Sequence, residues 1–457
     1  MPAPPGFEDL QAYPLLEAMG HRRSRRFALG AEMPEGPLGY QSRSSPVPLS
    51  TLEEAVLVHG AAGLTGFCAA DLPYRSQEEE QAGGNVMAGL RGRAIPSADA
   101  IHSTSLFIIN DEATWHFPPP RPEDPSVSPA IAGGGEADRM EAAYLSRRVK
   151  VREGRVEIPR RVPEMFPFNR WSTNLPGTTY FVPVSDLTAL CLNVLFSAFD
   201  EQMALYILDE RKGLRPAGIA KFAKSRGGRL HDDPADRRVL TILMLESYLL
   251  EFVLAEQAFM GQQMMLLEQG MGLGGWSHFA SADPNAWFRE LGFTMGSQLL
   301  SQTIGAGCLR TWLMTMLGMN ASVPFPIGLA CEGRELIRPF CPPQYRNMRE
   351  AVLAFLDQKM ANLQSFVPDQ PGSAWKDERH VKESIPGFTQ PCIDAVIAYC
   401  EYVWDTYGRF PAHFGPCRTT LAHQAHHLDL DFYDTHFDSG ICTTTQRRHM
   451  ERWHPEG

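Results

Sequence analysis

The sequence predicts an α+β protein in which helices pack around one sheet. Three observations carry that reading. Compact β-type runs at 105–109, 178–184 and 323–328 are scattered among much longer stretches of helical spacing. The longest apolar region, Val239 to Leu267, is punctuated roughly every turn by Glu246, Glu251, Glu256 and Gln257, which makes it a buried helix with a polar stripe. No internal repeat is visible along the 457 residues.

Taken in order, residues 8–20 read as a short helix that delivers a basic run, and Gly30 to Pro48, rich in Gly, Pro and Ser, reads as loop. Residues 52–63 have helical spacing, with Leu52, Ala55, Val56, Ala61 and Ala62 on one side. A loop carrying Glu78 to Glu80, Gly83 and Gly84 comes next. Ser105 to Ile109 is a strand ended by Asn110 and Asp111, and Trp115 to Phe117 offers it a partner strand. Pro118 to Asp138 is Pro/Gly-rich. After the strand at 178–184, helical segments are expected at 186–208, 237–269, 284–291 and 297–319, and Val323 to Gly328 enters a turn as a last strand. From Cys341 the texture changes to three helical stretches, about 347–365, 390–406 and 417–434, separated by Pro/Gly/Ser loops. A main domain over 1–340 and a helical C-terminal region over 341–457 are therefore expected.

Composition narrows the function classes. Hydrophobic content of 44% and charged content of 21% are those of a soluble globular protein. A net charge of -11 argues against a general nucleic-acid binder, which needs a broad basic surface. Nine scattered cysteines form no C-x-x-C pair, so neither a zinc ribbon nor a disulfide framework is expected, and reduced thiols fit a cytoplasmic setting. The first residues show no charged leader followed by an apolar stretch, so no secretory signal is expected. The glutamates within 239–267 argue against a membrane span.

Against that acidic background, His21-Arg22-Arg23-Ser24-Arg25-Arg26-Phe27 crowds four arginines into five positions. Guanidinium forks match phosphate oxygens in geometry and charge, and the serine adds a hydroxyl donor; a solvated basic patch is the plainer alternative. A second element, Pro96-Ser97-Ala98, fixes a turn just ahead of the strand at 105–109, where Ser97 and the following amides can bond a planar polar ligand. The third is Gly270-Met271-Gly272-Leu273-Gly274-Gly275 past the end of the long helix. Four glycines in six positions exceed what a helix cap requires and permit close backbone approach. The cluster follows a helix and not a strand, so it is not a dinucleotide-binding fingerprint.

This order, a basic run with serine, a Pro-Ser turn before a strand, then a long apolar helix ending in glycines, resembles the nitroreductase family of FMN-dependent oxidoreductases. The resemblance covers roughly residues 15 to 330 and implies a central, mostly antiparallel sheet surrounded by helices, an intertwined homodimer, and flavin at the subunit interface. It implies FMN contacts from Arg22, Arg23, Ser24 and Arg26 to phosphate and ring edge. Pro96, Ser97 and Ala98 would lie against the ring, and Gly272, Leu273, Gly274 and Gly275 would meet it near its reactive nitrogen. Where many members carry Asn and Gln after Pro-Ser, this chain has Ala100 and His102, nearer the azoline-oxidase branch. Arg334 and Arg338 are the candidates for the basic residue that completes the phosphate site. The chemistry implied is hydride transfer from NADH or NADPH, through flavin, to a small nitro, quinone, enone or heterocyclic acceptor. Such chemistry demands no encoded triad or paired carboxylate.

The C-terminal residues 423–436 hold His423, His426, His427, Asp429, Asp431, Asp434 and His436. On a helix, His423 and His427 would share a face with Asp431, a set able to hold zinc or iron. Mutual hydrogen bonding within a packed helix, or a cover over the flavin pocket, are the competing readings. A nitroreductase-like scaffold without redox turnover and a metal-dependent enzyme therefore stand beside the flavoenzyme.

Overall fold

The computed structural model describes residues 5–67, 91–98, 101–119, 135–281, 283–364, 375–385, 387–438 and 440–453. The loop around Glu78, most of the Pro/Gly-rich stretch after Pro118, and Ala100 lie outside these. The architecture is mixed helix and sheet, as expected. Helices α1 (Pro5–Ala12), α2 (Leu15–His21) and α3 (Thr51–Ala62) precede strands β1 (Thr104–Ile109) and β2 (Ala113–Phe117). Then follow α4 (Glu136–Arg147), β3 (Val149–Glu153), β4 (Thr179–Asp186), α5 (Leu187–Ala198) and the long α6 (Ile242–Met271). Strand β5 (Gly274–Phe279), helices α7 (Met348–Gln364) and α8 (Gln390–Tyr407), strand β6 (Leu421–His426), and helices α9 (Leu430–His436) and α10 (Thr444–Trp453) complete the elements that position the site.

The central sheet runs in the order β5-β6-β4-β1-β2-β3 with every neighbouring pair antiparallel. Strand β1 is apolar without alternation because both of its faces are buried. Leu106 and Ile108 join α3, α6 and Phe181 on one side, while Phe107 and Ile109 join Tyr180, Val182 and Trp287 on the other. A third core gathers α5, the first half of α6, α7 and α8.

Helix α3 starts at a reciprocal cap in which Ser50 and Glu53 each satisfy the other's backbone amide. Helix α6 starts at Thr241, whose hydroxyl accepts from the Met244 amide, and stops at Gly272, whose φ of 80° lies in the left-handed region that glycine tolerates. No helix among the described residues is long and apolar enough to cross a membrane.

Four sequence expectations are corrected. The helix expected over 8–20 is two helices separated at Tyr13 and Pro14. That over 186–208 stops at Ala198 and ends in a strand at Tyr206–Asp209. The 297–319 segment begins as a strand, Thr294–Leu299, before two short helices. Most consequential, 417–434 is not one helix: residues 421–426 form β6, inserted between β5 and β4, so the C-terminal region is not purely helical. Its polar, small-residue composition has low strand propensity, and pairing on both edges decides its form.

Candidate functional site

The sheet edge at β5 and β6 and the end of α6 bring the basic run and the glycine bend together. Residues 25–29 run beside 427–429: the Leu29 amide donates to the His427 carbonyl at 3.0 Å and the Asp429 amide to the Phe27 carbonyl at 3.2 Å. Phe27 stacks on Phe432 with ring centroids 4.0 Å apart, and its amide donates to the Tyr433 hydroxyl at 3.1 Å. The run is thus stitched to the C-terminal segment by backbone and by aromatic packing.

Its arginines have separate duties. Arg25, which the resemblance did not assign, is buried: it donates to Gln269 Oε1 at 3.0 Å, to the Ile441 carbonyl at 2.7 and 3.0 Å, and to the His21 carbonyl at 3.2 Å. Arg26 donates to Asn169 Oδ1 and Ser172 Oγ, and its guanidinium lies 3.7 Å from the centre of the Trp276 ring. Burial lowers the pKa of both guanidiniums from the usual arginine value. Arg22 rests half-buried against Met265 Sδ, and Arg23 and Ser24 are exposed. Buried Arg26 Nε has no hydrogen-bond partner, so one arginine donor faces inward unanswered, while exposed Arg23 donates to the Gly20 and Arg22 carbonyls at 3.2 and 2.9 Å.

The glycine bend is filled by the chain itself. A Cβ at Gly272 would lie 2.6 Å from the Thr445 carbonyl and 2.7 Å from His449 Cβ. At Gly274 it would meet Leu428 at 2.3 Å and the Arg25 carbonyl at 2.8 Å, and at Gly275 the Glu268 carboxylate. The amides of Gly272 and Leu273 both donate to the Glu268 carbonyl, and Gly274 and Gly275 pair with His426 and Ala425 of β6. These glycines are required because α6, β6 and α10 approach one another closely here. Their close approach and their amides are spent within the chain.

The Pro-Ser turn is elsewhere on α6. Pro96 and Ala98 are exposed, while Ser97 Oγ donates to Glu256 Oε2 at 3.3 Å. Sixteen residues of helix separate Glu256 from Gly272, ~24 Å along the axis. Within one chain the first and third motifs meet and the second does not. His102 adopts a φ of 51°, and burial pushes its pKa down to about 3. Arg338 is engaged with Glu335 at 3.3 Å, the Gln344 carbonyl at 3.0 Å and the Tyr345 ring, apart from the basic run.

Beneath the bend lies a set of buried imidazoles and carboxylates that a helical reading of 423–436 misplaced. His423 Nε2 bonds Glu268 Oε1, and its Nδ1 is 2.9 Å from Ser277 Oγ. This serine-histidine-carboxylate chain faces the backbone of α6, since a Cβ on Gly261 would lie 2.5 Å from Ser277 Oγ, so its hydroxyl is a packing group and not a presented nucleophile. Burial, with the neighbouring His427 and His423, pushes the His426 pKa down to about 3. His427 does not share a face with His423 and Asp431. It lies with Glu53 and His449, while Asp431 is exposed on α9. The earlier ligand set His423, His427 and Asp431 is thereby replaced. Glu53 and His449 carried no sequence signal toward one another, being 396 positions apart in a chain of 457 residues.

No protein-family model matches the chain, and neither does any curated protein. Among solved structures, one from Ralstonia eutropha JMP134 described as a putative nitroreductase aligns with 61% of this chain and 75% of its own, at 11% identity and a TM-score of 0.27. A likeness that slight does not establish a shared fold.

Proposed function

We propose that the chain is an FMN-dependent oxidoreductase of nitroreductase type that works as a homodimer. The observation that carries this reading is the meeting of the basic run with the end of α6, two segments joined by Arg25 and Gln269 across 244 positions. The phosphate end fits: Arg23 and Ser24 are exposed, Arg22 is half-buried beside them, and Arg26 Nε is buried without a partner. Arg22, Arg23 and Ser24 would bind and orient the phosphate, with Arg26 held beneath by Asn169, Ser172 and Trp276. The bend amides of Gly272 and Leu273 are already bonded, so the remaining contacts are assigned to Pro96, Ser97 and Ala98 of a second copy. The Arg338 guanidinium is paired with Glu335 apart from the basic run, so this reading gives it no contact with the phosphate.

A homodimer is supported by the uncovered apolar side chains of α2 and α6, namely Leu15, Leu16, Met19, Met244, Leu254 and Phe259. When bound, FMN supplies two-electron transfer from NADH or NADPH to a nitro, quinone, enone or heterocyclic acceptor. The protein's part is to hold and orient the phosphate.

The test is a visible spectrum of purified protein, supplied with FMN and then anaerobically with NADPH. Bound flavin bands that bleach are expected, and the double variant Arg23→Ala, Ser24→Ala should bind FMN roughly tenfold or more weakly. A protein that stays colourless after FMN is supplied sinks the reading. A second reading, a scaffold without redox turnover, is favoured by one observation: residues of the C-terminal segment fill the space beside Gly272 and Gly274. Flavin that binds but is not reduced by either nicotinamide would decide for it.

A further inference from the structure

We infer that Glu53, His427 and His449 form a binding site for a first-row divalent cation of the zinc class. The three residues come from the first turn of α3, the residue after β6, and α10, and all three are buried. Their donor atoms lie within 4.8 Å of one another. His449 Nε2 is 2.8 Å from His427 Nδ1 and 3.1 Å from Glu53 Oε1, while His427 Nε2 is 3.6 Å from Glu53 Oε2. Tetrahedral zinc, with bonds of about 2.0–2.1 Å, holds its donors roughly 3.4 Å apart; the 3.1 Å between His449 Nε2 and Glu53 Oε1 is close to that, and the ligating nitrogen of His427 lies within 4.8 Å of both.

The donor chemistry selects the ion. Two imidazoles and one carboxylate suit zinc, iron(II) or cobalt(II), and lack the oxygen-rich shell that magnesium or calcium requires. One carboxylate also offsets part of the cation's charge at a buried position. The supporting shell is built. Glu53 Oε2 accepts from the Ser50 amide at 2.8 Å and the Ser50 hydroxyl at 3.0 Å, which leaves Oε1 directed at His449. The Leu29 amide fixes the His427 backbone through its carbonyl. His449 is positioned by Gly272, where any side chain would strike its Cβ. Three protein ligands leave the fourth position to water. A cation here ties α3, the sheet edge and α10 together beneath the basic run, and this role does not depend on flavin.

The test uses full-length protein treated with chelator and titrated with Co²⁺, read by its visible d–d absorption. One saturable equivalent is expected, displaced by Zn²⁺, and Zn²⁺ should raise the melting temperature. Glu53→Gln and His449→Gln should each weaken Co²⁺ by roughly 100-fold or more, beyond the loss typical of merely supporting groups. Asp431→Ala, on the exposed side of α9, should bind as the parent does. No saturable equivalent in the parent protein, equal affinity in folded E53Q and H449Q, or loss of binding in D431A overturns the site. Should both ligand variants fail to fold, the parent stoichiometry and the D431A result decide.

Discussion

The two faces of α6 make the most instructive contrast in the molecule. Its inward face carries Leu245, Leu249, Val253, Met260 and Met264, and a stripe of polar residues among them. Glu246 accepts from the amides of Ala412 and His413, each at 2.6 Å, and Gln257 bonds Ser185, the Arg418 carbonyl and the amides of Thr420 and Leu421. Farther along, Glu268 bonds His423 and Gln269 bonds Arg25. Its outward face carries Leu243, Met244, Tyr248, Leu254 and Phe259, each more than 40% exposed. A surface helix ordinarily keeps its outer side polar, and this one does not. The polar stripe is tolerated inside because each group has a partner, whereas the apolar stripe outside is uncovered in the single chain.

The largest expected effect lies on the inward face. Arg25→Ala would leave Gln269 and the Ile441 carbonyl buried without their donor, and about 3 kcal/mol of stability should disappear in urea unfolding. A loss below about 1 kcal/mol would mean that the inward bonds are not what holds α6. Next, the paired variant Leu254→Lys, Phe259→Lys should convert a dimer to a monomer in light scattering while leaving the unfolding midpoint of the monomer nearly unchanged. A chain already monomeric before substitution breaks the contrast, because the outward face would then be simply exposed.

A smaller effect concerns pH. Burial pushes the Glu246 carboxyl up to about 7, against the pull of the two amides and of Arg211 and Arg409. The folded state therefore holds this proton more tightly than the unfolded chain. Its contribution is fully present below about pH 4.5 and is lost as pH rises through 7. Unfolding free energy should fall between pH 5 and 8, and Glu246→Gln should flatten that part of the profile. An unchanged slope would show that Glu246 is ionised as it sits. The smallest effect is expected for Tyr248→Ser on the outward face, within about 0.5 kcal/mol for the isolated monomer.

Much of the fold was legible from spacing. The runs at 105–109 and 178–184 are strands, 52–63 and 390–406 are helices, and the interrupted apolar stretch is the longest helix, as its periodicity requires. The C-terminal segment was not legible. In Leu421-Ala-His-Gln-Ala-His426 a helical period and a strand alternation match the same residues, and only pairing with β4 and β5 separates them. For the site, the basic run and the glycine bend, both distinctive in the sequence, do meet. Arg25 was passed over because nothing local distinguishes it from Arg23, although one is buried and the other exposed.

Residue order alone determined the period of each segment, the caps at Ser50 and Thr241, and the need for a glycine where α6 stops, because these depend on atoms within a turn or two. Tertiary structure decided which way the stripes of α6 face, that β6 is a strand, and that Glu53, His427 and His449 share one buried place. The reason is physical: a polar group's energy inside a protein is set by the partner within about 3 Å, and here that partner stands hundreds of positions away.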